Sequence, residues 1–356
     1  MSKELKWGTI IPLIGGSAIG CKNSAGNEPA FHLSYDAFAS NESHIEKYWP
    51  DVPMYRLDHE DLQIPTKTFE GVDYVNSVCP CAGLSLLNSA RGSSASRGSS
   101  AVQNDWMYNS SEYILENVKP KVLWGENAPG LFTKMGEGVV DRLREIAEKH
   151  GYSFSLIKTN TELHGIPQRR MRTFYFFWNT PTVPMLSWKF REKKNLIDYL
   201  NEIPEDATHQ DMFMVEGKVT DHFRPYEFVL EKEGLTHPEF SKKFKKGTIS
   251  QYLQSNELLD ECITWLEKKY PKEGFSNKKS TKTFIDMLEH QKNKVSQGLG
   301  YWDASPHFFH DSFSALIGRN MFNGVHPVEN RYLNVREMLH LMGLPLDFGI
   351  ESSRQI

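Results

Sequence analysis

Short apolar runs alternate with longer polar stretches from about Trp7 to about Trp178, and that alternation predicts a parallel sheet covered on both faces. Gly8-Thr9-Ile10-Ile11-Pro12-Leu13 reads as the first strand. Val72, Tyr74, Val75 and Val78 read as a buried strand, Lys121-Val122-Leu123-Trp124 as another, and Thr173-Phe174-Tyr175-Phe176-Phe177 as a later one. Helices are predicted from Ser110 to Asn117 and from Gly138 to His150. The second carries Val139, Val140, Leu143, Ile146 and Ala147 at helical spacing, and Gly151 stops it. This half is Rossmann-like.

After Pro181 the pattern changes to charged and aromatic stretches with weak periodicity, as far as roughly Tyr301. Phe, Tyr, Trp and Leu recur throughout, so a second, smaller domain is expected rather than disorder. Leu196-Ile197-Asp198-Tyr199-Leu200 reads as its helical entry. Near the end, Val335, Met338, Leu339 and Met342 share one helical face. The expected division is 1–185, 186–310, and a segment 311–356 that closes the small domain and returns to the first.

Composition bounds this picture without changing it. With 356 residues, 39% hydrophobic and 24% charged, the chain can bury one large core and a smaller one. No apolar run reaches membrane-spanning length and the first residues lack a signal-peptide core, so a cytoplasmic, membrane-free protein is expected. Cys21, Cys79, Cys81 and Cys262 are too few and too irregular for a disulfide framework. No second Cys or His pair at ligand spacing follows Cys79-x-Cys81, so no metal is expected. The net charge of −4 excludes a uniformly basic coat but not a basic face. Trp188–Lys194, Lys242-Lys243-Phe244-Lys245-Lys246 and Lys278-Lys279-Ser280-Thr281-Lys282 are its candidate segments.

Chemistry is concentrated where strands end. In Val78-Cys79-Pro80-Cys81-Ala82-Gly83, a thiol follows a proline where an apolar run gives way to a loop, the setting of a nucleophile. Gly125-Glu126-Asn127-Ala128-Pro129 places a carboxyl at the next strand end. Gln168-Arg169-Arg170-Met171-Arg172 then leads into a strand, with Arg170 and Arg172 at alternate positions. Pro-Cys, Glu-Asn and Gln-x-Arg-x-Arg, in this order over nearly the whole chain, resemble the C5-cytosine-specific DNA methyltransferases of bacterial or phage type.

The resemblance implies an S-adenosylmethionine-dependent methyltransferase sheet with a smaller target-recognition domain, acting as a monomer on double-stranded DNA. It implies that Cys81 adds to carbon 6 of a flipped-out cytosine, that Glu126 manages the proton at N3, and that Asn127 orients Glu126. Arg172 would hold the base and the glutamate, and Arg170 a backbone phosphate. For the cofactor it implies Ile11, Ile14, Gly15 and Gly16 in the glycine-rich turn, Pro80 beside the nucleophile, Asp36 for the ribose hydroxyls in preference to Glu42, and Asp58 for the adenine amino group. DNA contacts are expected from Gln168, from Lys242, Lys243, Lys245 and Lys246, and from Arg91 and Arg97. These two arginines lie in an Arg-Gly-Ser-Ser-Ala repeat that corresponds to the family's mobile loop. The small domain is expected to face the catalytic one across a basic cleft.

The chain departs from the family pattern at several positions. Ile11 and Leu13 stand where the family has Phe and Gly, Ala82 replaces a glutamine and Ala128 a valine. The family's last motif, Gly-Asn-x-Val, would begin at Arg354-Gln355-Ile356. Three readings remain open at this point: an active DNA enzyme, a catalytically impaired or silent DNA-binding homologue, and an enzyme of the same fold acting on RNA or transferring another group.

Overall fold

A computed structural model describes residues 4–85, 98–186, 190–270, 284–298, 305–316 and 322–350. Arg91, Arg97, Trp188, Lys189 and the run from Lys278 to Lys282 lie outside the described residues. The chain divides into two compact units: Met1–Asn160 with Met171–Lys189, and Thr161–Arg170 with Phe190–Arg354. The transition falls at Lys189 rather than at 185, and the ten residues that carry Gln168 and Arg170 belong to the second unit, as does the described part of 311–350. Among the described residues no helix is long and apolar enough to cross a membrane.

The first unit is built on a seven-stranded sheet. Its strands are β1 (Trp7–Ile10), β2 (Phe31–Ser34), β3 (Met54–Arg56), β4 (Tyr74–Ser77), β5 (Val122–Asn127), β6 (Ser153–Asn160) and β7 (Met171–Trp178), in the order β3-β2-β1-β4-β5-β7-β6. The first five pair in parallel, while β7 runs antiparallel to both β5 and β6. Every residue of β1 and β2 is buried, as expected of central parallel strands covered on both faces. The first strand stops at Ile10, earlier than its apolar run suggests, because Ile11 and Leu13 take φ of 53° and 52° around Pro12. Glu137–Lys149 forms the predicted amphipathic helix and buries the five apolar residues named for it. The helix predicted at Ser110 begins at Asp105 and closes with a π turn over Ile114–Val118. Ser110 and Ser111 lie inside it, buried.

The second unit is mainly helical. Arg224–Glu233, His237–Phe244, Ile249–Ser255, Leu259–Lys269 and Phe284–Ser296 surround a core in which Tyr226, Phe240 and Phe308 pack ring on ring. Capping boxes at Thr236/Glu239 and Thr248/Gln251 fix two helix starts. The helix Val335–Leu341 is anchored by Arg336, which has no exposed surface. Its guanidinium donates to Thr208 O (2.8 Å), Thr208 Oγ1 (2.6 Å), Pro345 O (3.2 Å) and Phe348 O (2.5 Å).

Candidate active site

Ser77 of β4 and Gly125 of β5 are register partners in a parallel pair, so the two strands end at the same edge of the sheet. Cys81 follows β4 by four residues, and Glu126 and Asn127 are the last two residues of β5. The loops beyond these ends touch. A Cβ on Gly130 would lie 2.1 Å from the Leu84 carbonyl oxygen, so only glycine lets the turn after Asn127 approach the turn after Cys81 this closely. Cys81 is half-buried and opens the 3-10 turn Ala82–Leu84, its carbonyl accepting from Leu84 N at 3.1 Å. Cys79 is different. It is buried against Ser77 Oγ (3.2 Å) and the Trp106 carbonyl (3.7 Å), and burial pushes its thiol up from the ordinary range.

Antiparallel pairing of β5 with β7 sets Glu126 opposite Phe174 and Asn127 opposite Thr173, which brings Arg172 diagonally beside Glu126. The two form an ion pair with side chains 17% and 21% exposed. Arg172 Nε has no acceptor in hydrogen-bond geometry, so charge and contact rather than an aligned hydrogen bond hold the pair. Arg172 also donates from Nη1 to the Met171 carbonyl at 2.8 Å. Asn127 is wholly buried. Its Oδ1 accepts from Ala128 N at 2.8 Å, while its Nδ2 has no partner among the described residues. Such an arrangement offers a half-accessible thiol and a carboxyl restrained by a guanidinium at one sheet edge.

At the end of β1 the chain turns through Ile11, Leu13 and Gly15, all at positive φ, into the helix α1 (Gly16–Ala25). Left-handed backbone costs an L-residue about 1–2 kcal/mol, so Ile11 and Leu13 store strain that glycine would not. No side chain caps α1 and its first turn holds no acid, which leaves its N-terminal amides open to an anionic group. Ile11 is wholly buried in the core of this unit, so what it can offer a cofactor is backbone rather than a stacking surface. Ile14 and Gly16 are half-buried and Gly15 is buried.

At the end of β2 the carboxylate of Asp58 accepts from Asp36 N at 3.0 and 3.1 Å, so the two expected acids meet, both exposed. His59 Nε2 lies 2.9 Å from the Asp36 carboxylate. Glu42, the competitor of Asp36, is wholly buried between Ser34 Oγ (2.5 Å) and the Arg56 guanidinium and is not free to bind anything else.

Other residues stand here that the sequence motifs did not single out. Trp106 meets Tyr35 and Phe38 edge-on at 4.8 and 4.9 Å, which puts an aromatic surface next to Asp36. Ser17 Oγ donates to Asn76 Oδ1 at 2.6 Å. The one available signal was compositional, a tryptophan in a polar stretch and an asparagine in a buried strand.

The expected DNA contacts fare unequally. Gln168 has no exposed surface, and its Nε2 donates to the Leu341 carbonyl at 3.0 Å inside the second unit. Arg170 is half-buried in the same unit and donates to the Leu316 carbonyl at 3.3 Å. Lys242, Lys243, Lys245 and Lys246 are all exposed, but Lys243 is tied to Glu233 at 2.5 Å. Lys193 and Lys194 are likewise engaged, with Ser312 at 3.1 Å and Glu202 at 2.5 Å.

Comparison with known proteins bears on these features together. The profile of the C-5 cytosine-specific DNA methylase family matches residues 13–355. The Type II methyltransferase M.Bpa9945I of Bacillus paralicheniformis is 24% identical over 327 residues, covering 85% of this chain and 68% of that protein. The Type II methyltransferase M.NgoPII of Neisseria gonorrhoeae is 27% identical over 106 residues, 30% of this chain and 29% of that one. The crystal structure of a prophage-encoded DNA modification methyltransferase (E. coli) superposes with a TM-score of 0.52 at 13% identity, over 96% of this chain and 89% of that one, which shows a shared fold. The chain belongs to the C-5 cytosine-specific DNA methylase family, enzymes that methylate carbon 5 of cytosine in DNA with S-adenosylmethionine as methyl donor.

Proposed function

We propose that this chain, as a cytoplasmic monomer, methylates a cytosine flipped out of duplex DNA through a covalent Cys81 adduct. The observation that carries the reading is the Glu126–Arg172 ion pair at the sheet edge where Cys81 also stands. Cys81 Sγ adds to carbon 6, and the electrons of the 5,6 double bond move to carbon 5, which thereby becomes nucleophilic. Glu126 shares its proton with N3 as negative charge builds on the ring, and Arg172 holds the carboxyl toward the base. Once carbon 5 carries the methyl group, loss of its proton lets the sulfur–carbon bond break and returns the thiolate.

S-adenosylmethionine, when bound, supplies the electrophilic methyl group. The residues that fit it are Gly15 and Gly16 with the uncapped start of α1 for its carboxylate, Asp36 and Asp58 for its hydroxyl and amino groups, and Pro80 beside the nucleophile. The second unit reads the duplex, with Lys242, Lys245 and Lys246 on phosphates. Incubation with labelled S-adenosylmethionine and either duplex DNA or transfer RNA tests the substrate. A duplex containing 5-fluorocytosine should trap the protein, because the fluorine cannot leave as a cation. Trapping that persists in Cys81→Ala would refute the nucleophile, and labelling of RNA alone would refute the substrate.

A further inference from the structure

We infer that Asn76 is a positioning residue for the cofactor turn, acting through Ser17 to pin the start of α1 onto β4, the strand that leads to Cys81; this rests on the cofactor reading above. Asn76 occupies a strand position where an apolar side chain would be expected, since β4 is central in the sheet and Asn76 has no exposed surface. It takes the Ser17 hydroxyl at 2.6 Å on Oδ1, yet its Nδ2 finds no partner among the described residues. A buried carboxamide satisfied on one side only is a poor choice for stability alone, so the fold keeps it for what the satisfied side does.

What that side holds is the turn. Ser17 directly follows the six-residue turn 11–16, in which three residues, Ile11, Leu13 and Gly15, are left-handed. Backbone bonds tie this turn to β2 and to itself, by Ile11 N to Leu33 O (2.8 Å), Gly15 N to Pro12 O (3.0 Å) and Ile19 N to Gly15 O (2.9 Å). The Ser17–Asn76 bond ties the residues after it to β4. Two further polar residues stand in register with Asn76: Thr9 on β1 and His32 on β2, both wholly buried, with Thr9 Oγ1 and His32 Nδ1 2.7 Å apart. This polar row lies across the three strands whose ends carry the glycine turn, Asp36 and Cys81; within it the Thr9–His32 contact links β1 to β2, and the Ser17–Asn76 bond links the start of α1 to the nucleophile's strand.

The test is calorimetric binding of S-adenosylhomocysteine to the full chain, which reads the site without chemistry, in parallel with urea unfolding. Ser17→Ala and Asn76→Ala should each raise Kd about tenfold or more, and the double variant should be no weaker than the worse single one, because the two residues act through one bond. Ser17→Thr, which restores a hydroxyl, should bind within about threefold of the unmodified protein. A purely structural role predicts lower unfolding midpoints with unchanged Kd. Kd within twofold of the unmodified chain in Ser17→Ala, or additive losses in the double variant, would overturn the inference. Failure of the unmodified chain to bind would refute the cofactor reading itself, and the inference with it.

Discussion

Glu126→Gln separates the chemistry from the packing better than any other single change at this site. The amide keeps the shape of the side chain but cannot give a proton to N3 and carries no charge for Arg172. A positioned acid or base is worth about 10²–10⁴ in rate, or roughly 2.7–5.4 kcal/mol in the barrier, so turnover should fall by at least about a hundredfold. The stability cost should be much smaller. With the partners 17% and 21% exposed, the Arg172 charge left behind remains in contact with solvent. Its loss of a partner lies between the surface and buried limits, on the order of 1–2 kcal/mol. Single-turnover transfer of a tritiated methyl group to long, unmethylated DNA of high sequence complexity measures the first quantity and urea unfolding the second. Arg172→Lys keeps the charge but not the planar fork and should lose activity as well. Because the two side chains act as one unit, Glu126→Gln with Arg172→Ala should lose little more than the worse single variant. Activity of Glu126→Gln within about fivefold of the unmodified enzyme, or strict additivity in the pair, would refute the reasoning, since the expected loss is at least about a hundredfold.

Other outcomes follow from the same geometry. Alkylation of the native protein at neutral pH should label Cys81 first, because burial raises the thiols of Cys79, Cys21 and Cys262, the last two to about 12; peptide mapping that finds Cys79 modified as fast would contradict this. Burial lowers His32 from 6.5 to about 4, so the unfolded chain takes up a proton that the folded chain refuses as pH falls through that window. Stability should therefore drop between about pH 6.5 and pH 4, by on the order of 3 kcal/mol from this residue, and His32→Gln should flatten the pH profile of urea unfolding. Neutralising Lys242, Lys245 and Lys246 should lower the slope of log affinity against log salt by about 2–3, whereas adding Lys243→Gln should change it little because Glu233 already holds that ammonium; an unchanged slope would remove this segment from the DNA interface. Arg336→Met removes the guanidinium that ties Thr208 to the carbonyls of Pro345 and Phe348 and should destabilise the second unit by about 2–4 kcal/mol, read by urea unfolding.

What could be read from the sequence was whatever depended on neighbours along the chain. The strand ends carrying Cys81 and Glu126 are marked by an apolar run followed by a loop, and the helix Glu137–Lys149 by the spacing of its five buried residues. Features set by distant partners were not legible. Gln168 looks like an exposed polar residue in a motif rich in arginine, but its carboxamide is fixed by a carbonyl 173 positions away. Glu42 and Asp36 are two acids six residues apart, and only the position of Arg56 decides that one is sealed into the fold and the other left exposed.

The second unit shows the same limit from another side. Three of its helix starts are written plainly, as Thr236-x-x-Glu239, Thr248-x-x-Gln251 and Asn334-x-x-Glu337, and all three form capping boxes, whereas Arg224–Glu233 and Leu259–Lys269 begin without a side-chain cap. Periodicity nonetheless failed there. The rings of Tyr226, Phe240 and Phe308 come from separate elements and pack with aliphatic residues such as Val229, Leu253 and Leu266; Leu259–Lys269 carries a helical repeat in Leu259, Cys262 and Leu266, but His237–Phe244 buries a single apolar side chain, Phe240, and displays none. Caps are local and survive in such a domain, whereas a hydrophobic stripe requires an element long enough to display it. For that reason capping residues are the better guide to where these three helices begin.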